Sequence, residues 1–207
     1  MYYPSMKIRK VIESIFGSPA KIRILRVLFN SPQPLSGRQI GELSGLTHRG
    51  AIHALESLVE IGAVKQRRAG QAYQYSLLKD SIFVERIVIP CIRAEASLFD
   101  DLKMDITTHF EKDTMSLVLY GSLARGDERN GSDIDIIAVV KDERKKREAE
   151  EKVASNVPYF RARFNGILSM HCFTKNEIKG RKTLSLIKSV MKEGIALSGK
   201  SLGELLK

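Results

Sequence analysis

The feature that most constrains this chain is a pair of short motifs at fixed separation. An apolar run from Met115 to Tyr120 leads into Gly121-Ser122-Leu123-Ala124-Arg125-Gly126-Asp127, and Ser132-Asp133-Ile134-Asp135-Ile136 follows. Ten residues lie between Ser122 and Asp133. The first motif reads as a strand that breaks at a glycine and starts a helix. Glycine lets the backbone approach closely, and the open N–H groups and positive dipole end at a helix start suit a phosphate. Ser122 adds a hydroxyl ligand for a β- or γ-phosphate. The second motif reads as a strand whose alternation turns Asp133 and Asp135 to one face. Two adjacent carboxylates among apolar residues repel unless a cation neutralises them, and Mg2+ (or Mn2+) brought with the phosphates of a nucleoside triphosphate is the expected occupant. Asp133 and Asp135 are therefore the candidate metal ligands and catalytic residues of an in-line transfer.

These residues resemble the polymerase-β-type nucleotidyltransferase superfamily, and within it the minimal nucleotidyltransferases. The signature is a hydrophobic residue, Gly-Ser, about ten residues, then Asp-x-Asp between hydrophobics. The likeness includes Arg125, Gly126 and Ser132 and covers roughly residues 114–200. It implies an α/β fold with a short mixed sheet and nucleoside-triphosphate binding at Gly121, Ser122, Arg125 and Ser132. It also implies transfer of a nucleoside monophosphate to a protein, RNA or small-molecule hydroxyl. Analogy with other minimal nucleotidyltransferases adds a toxin–antitoxin or phage-defence role. The chain departs from the pattern in one place. Fully active members carry a third carboxylate on a later strand, and the strand expected here, Gly166 to Phe173, has no acid. Ser169 or His171 stands in its place, and Glu177 is the nearest acid beyond. Such a site binds a metal–nucleotide but activates an acceptor hydroxyl poorly.

The first half of the chain carries a different pattern. Ser18-Pro19 starts a helix with Ile22, Leu25, Val27, Leu28 and Phe29 as its stripe, after a short helix expected from Ile8 to Ile15. A second helix runs from Ser36 to Ser44, and a third from Thr47 to Ile61 with Gly62 closing it. Ala63–Arg68 and Ala72–Leu77 then read as a hairpin. Helical phase assigns Ala51, Ile52, Leu55, Leu58 and Val59 to the core side of the third helix. Arg49, Gly50, His53, Ala54 and Ser57 fall on an outer face expected to carry no acid. The segment Leu35–Leu77 resembles the winged helix-turn-helix domains of the ArsR and MarR repressor families. The resemblance implies binding to double-stranded DNA, usually as a homodimer. Its expected contacts are Arg38, Thr47, His48, Arg49 and His53, with Arg67 and Arg68 at the hairpin.

Charge agrees with that division. Up to Glu95 there are 14 basic and 7 acidic residues; after it there are 20 and 17. A basic half suits a polyanion. Cys91 and Cys172 are too far apart for a CxxC site and read as buried thiols. The first residues lack a hydrophobic signal core and there is no run of 18 apolar residues, so the expectation is a cytoplasmic protein without membrane contact. The domains expected are residues 1–79, a helical linker over 80–112 broken near Pro90, and residues 113–207. The charged stretch Lys141–Lys152 is expected as a solvated helix, and a last helix over Leu184–Lys192. Two functions stay open: a DNA-binding transcription regulator whose second domain senses a nucleoside triphosphate, and an active nucleotidyltransferase.

Overall fold

The computed structural model describes residues 8–180 and 185–206. Its contacts divide the chain into two units, Met1–Leu98 and Phe99–Lys207. In the first unit α1 (Val11–Phe16) and α2 (Pro19–Asn30) precede a short strand β1 (Leu35–Ser36), and α3 (Gly37–Ser44) and α4 (His48–Glu60) follow. Strands β2 (Val64–Ala69) and β3 (Ala72–Leu77) close it as an antiparallel hairpin, with β1 paired on the far side of β3. Side-chain caps fix where the helices begin. Ser18 accepts from the Lys21 amide ahead of Pro19, Ser36 and Gln39 form a capping box, and Thr47 accepts from the Gly50 amide. The first helix starts at Val11 instead of Ile8, because Lys10 sits in the left-handed region at φ 57°. Ile24, Leu25, Leu28, Ile40, Leu55, Leu58, Val64, Tyr75 and Leu77 make the core.

The segment after the hairpin has no break at Pro90. A π-helical turn at Val84–Val88 runs directly into α5 (Ile89–Phe110), so the helix continues through Pro90, and the wide π turn just ahead of it takes up the proline. The unit boundary lies inside α5. Val84, Val88 and Ile92 belong to the first core, and Leu102, Ile106 and Phe110 to the second.

The second unit is a mixed sheet of four strands in the order β6-β5-β4-β7: β4 (Ser116–Tyr120), β5 (Ile134–Val140), β6 (Leu168–Thr174) and β7 (Ile195–Gly199). Strand β5 pairs antiparallel with β4 and parallel with β6, and β7 pairs antiparallel with the other edge of β4. Between them lie α6 (Gly121–Arg125), α7 (Glu143–Phe164), α8 (Lys175–Gly180) and α9 (Ser185–Glu193), with α10 (Leu202–Leu205) last. Leu184, the expected first residue of the last helix, lies outside the described residues. Strand alternation divides β5 between two cores. Ile134, Ile136 and Ala138 pack with α5 and α7 through Phe110, Ala149 and Phe160. Ile137 and Val139 pack on the other face with Ile178, Ile187, Val190 and Leu202. Helix α7 outruns the expected charged stretch, passing through Pro158 to bury Phe160. Cys172 is buried as expected, but Cys91 is exposed. Among the described residues no helix is long and apolar enough to cross a membrane.

Candidate functional site

The Gly-Ser turn and the two acids meet at one end of the second unit's sheet. Tyr120, the last residue of β4, is paired with Asp135 on β5. The chain then turns at Gly121, whose φ of +79° suits glycine. A β-carbon there would lie 2.5 Å from Asp135 Oδ2 and 3.3 Å from its Cβ and Cγ. The peptide backbone of the first motif thus rests on the carboxylate of the second, and a side chain at position 121 would have to displace that carboxylate. Helix α6 has five residues, too few for the strong helix dipole expected from the sequence. What remains for a phosphate is the Ser122 hydroxyl and the N–H groups of the turn.

Asp133 is exposed just before β5, and Asp135 is half-buried on the face shared by Ile137 and Val139. Burial pushes the Asp135 carboxyl above its ordinary value and Asp133 adds to the rise, while His171 and Arg125 oppose it. Tyr120 beside it is pushed up to about 12, first by burial and then by Asp135. Two neighbouring carboxylates, one of them half-buried, form a donor set suited to a hard divalent cation. The parallel register of β6 pairs Asp135 with Ser169, and His171 lies two residues along the same face. Its ring is 6.4 Å from that of Tyr120. No acid accompanies them, and among the described residues no group of three or more His, Cys, Asp or Glu side chains is placed to hold a metal. Glu177 is committed elsewhere: it accepts from Lys146 Nζ at 2.8 Å and from the Thr174 amide at 2.8 Å.

The remaining predicted nucleotide ligands are placed differently. Arg125 donates through Nε to Asp127 at 3.2 Å, and its Nη1 lies 3.9 Å from Glu193 at the end of α9. The Ser132 hydroxyl accepts from the Arg129 amide at 2.9 Å, shaping the turn before Asp133. Sequence reasoning missed Tyr120 and Glu193. Tyr120 could have been found as the residue before the glycine, whereas Glu193 comes near Arg125 only because β7 pairs with β4.

In the first unit Thr47, His48, Arg49 and His53 are exposed along the start of α4. Arg38 is exposed on α3, paired with Glu42 at 3.0 Å, and lines one shallow hollow together with His48. Arg67 and Arg68 are exposed on β2. Two expectations for α4 fail. Ala54 is buried, since it faces the α2 side of the core. The exposed stripe also continues into acids, with Glu56 and Glu60 following Arg49 and His53 at helical spacing.

Residues 103–197 match the model of the nucleotidyltransferase domain family. No curated protein matches the chain. A crystal structure of a toxin–antitoxin with AMP-PNP is 15% identical, with 50% of this chain and 80% of that chain covered at a TM-score of 0.35.

Proposed function

We propose that the nucleotidyltransferase domain binds a nucleoside triphosphate with Mg2+ (or Mn2+) at the end of β4 and β5. The contact of Gly121 with Asp135 carries this reading, because it ties the phosphate-binding turn to the acidic strand. Asp133 and Asp135 would hold the cation, and Gly121 and Ser122 the phosphates. Arg125 is near enough to bias the Asp135 charge and so to meet a phosphate beside it. Bound there, a divalent cation would neutralise the triphosphate and make its phosphorus a better electrophile. Transfer also needs a group that takes the proton of the attacking hydroxyl. Ser169 next to Asp135 is neutral, which supports slow transfer and favours nucleotide sensing. Calorimetric titration with Mg–ATP, GTP, CTP and UTP tests this. Binding by the wild type that is lost in Asp133→Asn and in EDTA is expected, and equal heats for wild type and Asp133→Asn would sink it.

The basic, exposed start of α4 supports a second reading: the first unit is a winged helix-turn-helix that binds double-stranded DNA. The order α2, α3, α4, β2, β3 and the exposed Arg38, Thr47, His48, Arg49, His53 and Arg68 fit it. The acids Glu56 and Glu60 confine the contact to the first turns of α4. Joined in one chain, the two readings describe a DNA-binding regulator that senses a nucleotide.

A further inference from the structure

We infer that the DNA-contacting surface of the first unit is one-sided, made of the first turns of α4 and the hairpin face that carries Arg68 and Tyr73, and that Lys65 and Arg67 lie off it. The inference rests on the DNA reading and deepens it.

The register of the hairpin assigns the faces. Val64 pairs with Leu77, Gln66 with Tyr75 and Arg68 with Tyr73, while Lys65 pairs with Ser76 and Arg67 with Gln74. Directly opposite residues of an antiparallel pair share a face, and neighbours along a strand alternate. Val64, Leu77 and Tyr75 are buried in the core with Leu55 and Leu58 of α4. Gln66 Nε2 donates to the Tyr75 hydroxyl at 3.1 Å, so it is on that face too. The same face runs outward beyond the core to Arg68 and Tyr73. Its direction is confirmed by the surface hollows. Tyr73 and Tyr75 line one with His48 and Ile52 at the start of α4, and Gln66 lines another with His53, Glu56 and Glu60. Lys65 and Arg67 therefore project from the opposite side.

Charge along α4 then selects where a duplex lies. Arg49 comes first, beside the hydrogen-bonding His48 and His53, and Glu56 and Glu60 come after, so a polyanion is drawn to the start of the helix and repelled from its second half. The hairpin root, where Gln66 faces those acids, is excluded, and the outer part with Arg68 and Tyr73 is favoured. Tyr73 is 51% exposed, a large ring left in water beside an arginine. Its phenol is placed to donate to a phosphate oxygen and its ring to cover a sugar, while Arg68 supplies the charge.

The test is fluorescence anisotropy of the full chain with a labelled duplex of random sequence, titrated between about 50 and 200 mM KCl, the range over which phosphate contacts are read. Arg68→Ala should flatten the salt slope by about one unit and weaken binding about tenfold. Tyr73→Ala should weaken binding and Tyr73→Phe should recover part of the loss. Lys65→Ala and Arg67→Ala should leave the slope unchanged. All four side chains are exposed, and an unchanged melting temperature checks that each variant folds. If Arg67→Ala flattens the slope as much as Arg68→Ala, or Tyr73→Ala binds like wild type, the one-sided surface is wrong while the DNA reading stands. If the wild type shows no salt-dependent binding, the DNA reading itself falls.

Discussion

Gly121→Ala should separate the fold of the second unit from its site. Two effects add at this position. An alanine at φ +79° pays a left-handed backbone cost of about 1–2 kcal/mol. Its β-carbon would also lie 2.5 Å from Asp135 Oδ2, well inside contact distance. The carboxylate end can swing away, but Asp135 Cβ at 3.3 Å limits how far the strand gives. The sum is about 2 kcal/mol, or a drop of roughly 8 °C or more in the melting of a unit of about 100 residues. Gly131 is the matched control. Its φ is +86° and nothing lies within 4 Å of an added β-carbon, so Gly131→Ala carries the backbone cost alone. Thermal denaturation and Mg–nucleotide titration of both variants give the comparison. Gly121→Ala should be the less stable and should lose nucleotide binding, and Gly131→Ala should keep it. Equal stability and equal nucleotide binding in the two variants would refute the claim that the turn rests on Asp135.

Ser169→Asp adds a carboxylate beside Asp135 on the neighbouring strand and should raise Mg2+-dependent pyrophosphate release by about a hundredfold; no increase would mean that the missing acid does not limit transfer. Glu177→Gln should cost about 1 kcal/mol, read by denaturant melts, because it breaks the ion pair with Lys146 while the glutamine oxygen still accepts from the Thr174 amide. Lys146 first, and then the Thr174 amide, hold the Glu177 carboxyl below its usual range. A depressed carboxyl contributes stability above its unfolded pKa and loses it as pH falls through the folded pKa, so the gap between wild type and Glu177→Gln should close in acid.

Much of the site was legible because it depends on local sequence. Gly-Ser after an apolar run and Asp-x-Asp ten residues on fix a turn, a strand and the common face of two acids, with no need of distant contacts. The helices of the first unit were equally local, since Ser18, Ser36 and Thr47 cap them through residues three positions away. What escaped was set by long-range pairing. Strand β7 has a single β-branched residue, Ile195, in five and earns its place by pairing with β4. Glu193 reaches Arg125 through that same pairing. The outer face of α4 was misjudged in two ways: Ala54 lies at its margin, where core packing decides burial, and Glu60 falls between Arg49 and His53 by helical phase and was left out of the face.

The most direct measurement is a crystal structure of the full chain with Mg2+ and a nonhydrolysable nucleoside triphosphate. The expected result is a triphosphate against the Gly121-Ser122 turn and a cation held between it and the carboxylates of Asp133 and Asp135, with Ser169 contributing no ligand. A triphosphate bound away from that turn, or a cation site that omits both aspartates, would contradict the account.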